Sequence, residues 1–217
     1  MAANPTFGFA SLAEAKTRLD IDSGVSLHDS LLSELLLSVS STIERIAGRK
    51  LRRQTSITEI HSGGKRLLQC GIFPIDSITN IRESETRDFT TASAYDELAT
   101  PDDYILRAGE EEGESGIIER IDQDWLGSDK SPGMIRVVYD GGYLNDDDDD
   151  WPIPHDLRDA CLTQAIHEYA QRSNPGRTST SMRGVSIASG SSNTHEPMSI
   201  LPYVADIALR YRRPIHV

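Results

Sequence analysis

The chain has 217 residues, enough for one large domain or two small ones with a real apolar core. It carries 34 acidic and 22 basic side chains, for a formal net charge of −12. Such a chain is a poor candidate for a nucleic-acid-binding protein, because the affinity for nucleic acid comes from cationic side chains that displace phosphate counterions. Two cysteines are too few for a disulfide framework. No apolar stretch approaches the roughly 20 residues of a membrane span, so we expect a soluble protein, made in a reducing cytoplasm, that contacts no membrane.

Two helices are predicted near the N-terminus. Ser11 and Glu14 form a Ser-x-x-Glu capping box, which predicts a short helix over Leu12–Leu19. A longer helix is predicted over Leu27–Ala47, where Gly48 supplies the C-terminal stop.

The longer helix has two apolar rows. The row assigned to the core comprises Leu32, Leu36, Val39, Ile43 and Ile46. The second row runs through Leu27, Leu31 and Leu35. One packing contact does not need so much apolar surface, so Leu31 and Leu35 are candidate subunit contacts.

From Leu51 to Tyr143 the pattern changes to short strands separated by turn residues. The spacing of Ile75, Ile78 and Ile81 is not the alternation of a regular strand, so the strand around them is the least certain. The segment Gly63-Gly64-Lys65-Arg66 lacks the Walker pattern and is predicted to be a hairpin turn. The six predicted strands are Gln54–Ile60, Arg66–Gln69, Ser77–Arg82, Tyr104–Arg107, Gly116–Ile121 and Met134–Tyr139.

The acidic side chains are concentrated in this region, since Glu83–Asp150 holds 21 acidic and 5 basic residues. Two interpretations of this acidic surface have equal weight. It lines a channel through which DNA passes without binding, or it is the solvated face of a β-rich segment. Glu110–Glu114 is predicted to be a hairpin or loop tip, solvated and mobile. Asp146–Asp150 lacks the spaced ligands and the glycine of a calcium loop, so a solvated loop is expected. The candidate residues of this acidic face are Glu110, Glu111, Glu112, Glu114, Asp146, Asp147, Asp148, Asp149 and Asp150.

A third helix is predicted over Pro154–Arg172, because proline suits a first helical turn. The helix is apolar over more than half of its circumference. It is therefore expected to pack against a second surface besides the core of its own domain. Leu162 and Ile166 are therefore further candidate subunit contacts, and Cys161 is expected to be a small buried hydrophobe.

The C-terminal region begins with Arg177–Glu196, which is rich in Ser, Thr and Gly and too polar to pack alone. This segment is predicted to be a flexible tether. Helical spacing then returns and predicts a fourth helix over Ile200–Arg212.

No arrangement of residues in the sequence points to catalysis. His155 and His167 lack the i, i+4 partners that place two metal ligands on one helical face. Ser186 lacks the second glycine of a nucleophile elbow. We expect no enzymatic activity, no metal ion and no cofactor. A small metal-dependent hydrolase that uses Asp146–Asp150 with His155 is the alternative from another functional class.

Several short motifs follow one another along the chain. They are Ser11–Leu19, Ile43–Arg49, Phe73–Ile78, the Gly142-Tyr143 strand end before a proline-introduced helix, and Leu209–Pro214. In this order they make most of the chain resemble the head–tail connector (adaptor) proteins of long-tailed double-stranded DNA bacteriophages.

The resemblance implies a virion structural protein located in the neck, between capsid and tail, and assembled in the host cytoplasm. It implies a homo-oligomeric ring, a dodecamer in the virion, which binds the portal protein and receives a stopper or tail-completion protein. Genomic DNA would pass through the ring without specific binding. In this family the C-terminal segment reaches toward the portal, which makes the candidate portal-binding residues Arg210, Tyr211, Arg212, Arg213, Pro214, Ile215 and Val217. A stopper or tail-completion protein is the alternative within the same class.

The predicted fold class is α+β, a core of about four helices with an acidic β-rich insertion between the second and third helices. Residues 1–50 form the N-terminal helices and residues 51–150 the insertion. Residues 151–176 form the next core helix, and residues 177–217 form the flexible segment with the C-terminal helix and tail. Together they are expected to make one connector domain.

Overall fold

The computed structural model describes residues 6–107, 113–128, 133–144, 151–172, 181–182, 185–186 and 200–212. Within these ranges the chain forms four α-helices and antiparallel sheets, so the predicted α+β class and helix number are confirmed. The chain divides into two compact units. We call them the helical unit, which holds the described residues up to Ala47 and from His155 to Arg212, and the strand unit, which holds the described residues from Gly48 to Pro154. No helix in the described ranges is long and apolar enough to cross a membrane.

The helical unit contains these four helices and two short strand pairs. The helices are α1 (Leu12–Arg18), α2 (Asp29–Ala47), α3 (His155–Gln171) and α4 (Pro202–Arg210). The antiparallel pairs are β1 (Thr6–Phe7) with β2 (Ala10–Ser11), and β10 (Ser181–Met182) with β11 (Val185–Ser186). Each helix begins and ends within two residues of its predicted bounds.

Local capping explains where the helices begin and end. The Ser11 hydroxyl accepts the N–H of Glu14 at 3.2 Å, and the Glu14 carboxylate accepts the N–H of Ser11 at 2.7 Å. The predicted capping box is therefore confirmed. Helix α2 ends before Gly48, whose φ of +70° is strained for a residue with a Cβ atom. Helix α4 begins at Pro202, because proline lacks the N–H that a first turn leaves unused.

The core of the helical unit lies where α2 packs against α3 and α4. The predicted core row of α2 is confirmed at Leu32, Leu36, Val39 and Ile43, which are each at most 2 % exposed. Ile46 of the same row is half-buried. Cys161 of α3 is fully buried, as predicted, and its Sγ lies 3.4 Å from the Ser40 hydroxyl of α2.

The strand unit contains two antiparallel sheets. Its strands are β3 (Gln54–His61), β4 (Leu67–Gln69), β5 (Ile75–Glu83), β6 (Asp96–Leu98), β7 (Tyr104–Leu106), β8 (Ile117–Arg120) and β9 (Ile135–Gly141). One sheet has the order β3-β9-β5-β6 and the other has the order β4-β8-β7. All six predicted strands are present within two residues of their bounds. Strand β6 was not predicted, because only Leu98 of its three residues is buried.

Two irregularities in the pairing of β5 with β9 explain the unusual isoleucine spacing. The register shifts between Ile75 and Ser77, and again between Ile78 and Asn80. Each shift inserts an extra residue, which moves the following side chains to the other face. As a result Ile75 and Ile81 are at most 1 % exposed, and Ile78 packs against the same core.

The predicted hairpin turn at Gly63-Gly64 is wrong, because β3 and β4 belong to different sheets. The two glycines instead allow a close approach of two backbone segments. The Gly64 N–H donates to the Trp125 carbonyl at 2.8 Å, and a Cβ atom on Gly63 would lie 1.8 Å from the Leu126 carbonyl oxygen. A larger residue at Gly63 would force these segments apart.

Both sheets contribute to one apolar core in the strand unit. Trp125, which is 2 % exposed, lies in this core although it belongs to neither sheet. The other buried members are Leu68, Cys70, Ile72, Ile75, Ile81, Leu98, Tyr104, Ile118, Ile135, Val137 and Tyr139.

Candidate functional site

The four predicted subunit-contact residues differ in their exposure. Leu31 is 37 % exposed and Leu35 is half-buried on α2, while Ile166 is half-buried on α3. Leu162 is only 3 % exposed, so its apolar surface is already covered by its own chain. The side chain of Leu162 therefore offers almost no surface to a second subunit.

Three apolar side chains at and just before the start of α2 are exposed. Val25 and Leu27, in the segment that leads into the helix, are 43 % and 82 % exposed. Together with Leu31 they form what we call the leucine patch. Single exposed apolar residues are ordinary on a protein surface, but a group of them marks an interaction site more often.

An open cleft of about 850 Å³ lies between α1, α3 and α4 in the helical unit. Ion pairs span it, from Arg18 to Asp159 and from Arg158 to Glu14. The Tyr203 hydroxyl lies 3.5 Å from the Asp159 carboxylate. The lining residues are Ser11, Ala13, Glu14, Thr17, Arg18, His155, Asp156, Arg158, Asp159, Leu162 and Tyr203.

These cleft contacts hold the helices together and do not assemble a catalytic group. The Ser11 hydroxyl is engaged in the α1 capping box, where it donates to the Glu14 carboxylate at 2.8 Å and accepts the Glu14 N–H. The alternative hydrolase requires Asp146–Asp150, which lie outside the described residues. No described contact brings His155 into a catalytic arrangement.

Three of the predicted portal-binding residues, Arg210, Tyr211 and Arg212, lie at the end of α4 or directly after it. Arg210 and Arg212 are exposed. Tyr211 is half-buried, and its hydroxyl donates to the Asp156 carboxylate at the start of α3. Tyr211 therefore anchors α4 within the helical unit. The remaining candidates, Arg213, Pro214, Ile215 and Val217, lie outside the described residues.

The predicted acidic face falls mostly outside the described residues, which include Glu114 but not Glu110–Glu112 or Asp146–Asp150. Glu114 is half-buried. Gly113 beside it is buried, and its carbonyl accepts the N–H of Ile75 at 2.9 Å. The strands on either side, β7 and β8, pair antiparallel, which agrees with the predicted hairpin, and at Gly113 the returning chain packs against β5.

The structure also assembles a side-chain cluster in the strand unit that the sequence analysis missed. Glu59 and His61 lie on β3, and Cys70 directly follows β4. One ligand atom from each of the three lies within 4.8 Å of the others. The available sequence signal was the i, i+2 spacing of Glu59 and His61, which places two side chains on one face of a strand.

Hydrogen bonds hold the Glu59 carboxylate in this cluster. It accepts the Tyr139 hydroxyl at 2.6 Å and the Gly71 N–H at 3.0 Å, and the His61 Nε2 lies 3.0 Å from it. Burial raises the pKa of Glu59, but hydrogen bonds from His61, Tyr139 and Gly71 outweigh burial, and the pKa lies below its ordinary value. Burial, followed by the hydrogen bond to Glu59, raises the pKa of Tyr139.

We predict a pH-dependent effect of Glu59→Gln. A depressed carboxyl pKa stabilises the fold above the unfolded-state pKa of about 4.3, and this stability is lost as pH falls through the folded-state pKa. At pH 7 the variant should lose about 1 kcal/mol, because neutral hydrogen bonds replace charge-assisted ones. Denaturant unfolding at several pH values should show this gap closing below pH of about 4. The exposed Glu85→Gln serves as the control, and a gap that is constant with pH would contradict the prediction.

No family model and no curated protein matches this sequence. Solved structures do match. A chain of "Neck of native GTA particle computed with C12 symmetry" has a TM-score of 0.58 at 15 % identity, covering 100 % of this chain and 95 % of that chain. A chain of "Neck of empty GTA particle computed with C6 symmetry" has a TM-score of 0.57 at 16 % identity, with the same coverage. A chain of "Virion of native gene transfer agent (GTA) particle" has a TM-score of 0.52 at 15 % identity, covering 95 % of this chain and 90 % of that chain.

Proposed function

We propose that this chain is a structural protein of the neck of a phage-like particle, where it forms a connector ring between head and tail. The observation that carries the proposal is the fold similarity over the whole chain to chains of gene transfer agent necks. The structure offers no catalytic arrangement among the described residues that would favour an enzyme instead.

The ring would contain twelve subunits, in keeping with the C12 symmetry of one similar neck structure. Subunit interfaces that are stable generally bury more than about 1,000 Å² and have apolar centres. The leucine patch offers such a centre, because Leu27 and Leu31 remain exposed when the chain folds alone. We propose that this patch, with the half-buried Leu35 and Ile166 beside the interface, contacts the next subunit.

The partners above and below the ring would be the portal protein and a stopper or tail-completion protein. Arg210 and Arg212 are exposed cations at the end of α4, suited to an acidic docking surface on the portal. Genomic DNA would pass through the ring without specific binding, since the net charge of −12 repels phosphates. The ring would assemble in the host cytoplasm and remain in the virion neck.

The ring is tested by measuring the mass and symmetry of the purified protein, alone and mixed with the portal protein of the same particle. We expect the double variant Leu27→Glu/Leu31→Glu to fold but to weaken subunit association more than tenfold, because charges replace apolar contacts at the interface. Native mass spectrometry and electron micrographs measure this loss.

The matched control is Ile105→Glu, which changes an apolar residue of 42 % exposure in the strand unit and should still form rings. A wild-type protein that is monomeric and also fails to associate with portal protein would refute the ring. Rings of six would instead favour another neck component. If the double variant forms rings as well as the wild type does, the subunit interface does not include the leucine patch.

A further inference from the structure

We propose that Glu59, His61 and Cys70 form a binding site for one zinc ion in the strand unit. The site is independent of the proposed ring, because all three residues belong to one unit of one chain. It ties strand β3 of the four-stranded sheet to the residue that follows β4 of the three-stranded sheet.

The distances between the ligand atoms fit a small tetrahedral ion after modest closure. Zinc bonds of about 2.0–2.3 Å place neighbouring ligand atoms about 3.3–3.8 Å apart. Here the His61 Nε2 and the Glu59 Oε2 are 3.0 Å apart, and no ligand pair in the cluster exceeds 4.8 Å. The side chains must therefore adjust by at most about 1 Å, which small side-chain rotations supply.

The donor set selects the class of metal. A thiolate, an imidazole and a carboxylate are the three ligand types that zinc accepts in proteins. Calcium and magnesium take oxygen ligands, so two of the three donors are wrong for them. Metal binding requires the deprotonated thiol, so the Cys70 proton leaves to solvent when the ion binds.

A supporting shell orients the carboxylate before any ion arrives. The Tyr139 hydroxyl donates to Oε1 of Glu59 at 2.6 Å and accepts the N–H of Ile72 at 3.0 Å. The Gly71 N–H, next to Cys70 in the chain, also donates to this carboxylate. Oε2 is the oxygen nearest the His61 ring. Outer-shell hydrogen bonds of this kind orient and fix metal ligands.

The burial of the three ligands defines how the ion reaches the site. Cys70 is fully buried, whereas the side chains of Glu59 and His61 are 22 % and 20 % exposed. The ion therefore enters past His61 and Glu59, and a water molecule completes four ligands on that side. Because the thiol faces the apolar core, the site is a structural clamp between sheets.

Two measurements on the full-length, metal-free protein test the site. Zinc chloride is titrated in competition with a chromogenic chelator, and cobalt chloride is titrated while the thiolate-to-cobalt charge-transfer band is recorded. We expect one ion per chain and a cobalt band that is absent in Cys70→Ser. His61→Gln should bind zinc at least about tenfold more weakly. Since His61 is partly exposed, this variant keeps the test valid if Cys70→Ser does not fold.

The matched control is Cys161→Ala, which removes the other buried thiol and should retain both the stoichiometry and the cobalt band. A wild-type protein that shows no thiolate band would overturn the proposal, as would a band that persists in Cys70→Ser. Zinc binding of equal strength in wild type and His61→Gln would also overturn it. Zinc binding and the cobalt band can be measured whether the protein is monomeric or forms a ring. Their outcome is therefore separate from the test of ring assembly.

Discussion

Replacing Leu36 with aspartate is expected to abolish soluble, folded protein. Leu36 is fully buried on α2, in the core row that packs against α3 and α4. An aspartate there places an unpaired carboxylate in an apolar environment, at a cost of several kcal/mol. Total stabilities are about 5–15 kcal/mol, so a loss of this size removes much of the margin. Soluble yield and a thermal melt followed by circular dichroism measure the effect.

The neighbouring residue supplies the control for this substitution. Leu37 is 42 % exposed on the same helix, so Leu37→Asp makes the same chemical change where water solvates the carboxylate. We expect it to lose no more than about 1 kcal/mol, mainly through helix propensity. A normal cooperative melt of Leu36→Asp, like that of Leu37→Asp, would mean that the orientation of α2 is wrong.

The second large effect is expected from Arg120→Met in the strand unit. The Arg120 guanidinium is 6 % exposed, lies 3.6 Å from the Glu83 carboxylate and 3.1 Å from that of Asp103, and also donates to the Asp103 carbonyl. Its removal leaves Glu83, whose side chain is 8 % exposed, without its cation. Breaking a buried ion pair on one side costs about 3–5 kcal/mol. Urea unfolding of wild type and variant measures this difference.

The comparison is an ion pair with a more exposed cation, from Arg66 before β4 to Glu119 on β8. Arg66 is 53 % exposed and lies 3.7 Å from Glu119, so Arg66→Met should cost less than about 1 kcal/mol. The double variant Arg120→Met/Glu83→Leu should recover part of the loss, because it removes the uncompensated carboxylate as well. Equal losses for Arg120→Met and Arg66→Met would show that the buried pair contributes no special stability.

The helices were predictable because their signals are local. The capping box of Ser11 and Glu14 and the stop at Gly48 each act within a few residues of the helix end. The buried row from Leu32 to Ile43 repeats with the helical period and faces one direction for that reason alone. None of these signals depends on what lies opposite in the fold.

The strands were predictable as elements but not as a sheet. Strand β9 lies between β3 and β5, although it follows β5 by some fifty residues in the chain. Such pairing depends on contacts between distant segments, which alternation along one strand does not encode. The two register shifts in β5 arise from the same pairing, and they make an irregular isoleucine spacing compatible with one buried face.

The candidate sites were likewise predictable from the sequence only in part. The sequence alone determined the helices, the strand segments, the acidic character and an excess of apolar residues on α2, because period, capping and composition are properties of neighbouring residues. Only the tertiary structure decided that Leu162 is covered by its own chain while Leu27 is not. It also brought Cys70 to Glu59 and His61, since strands of different sheets approach one another only when the unit packs.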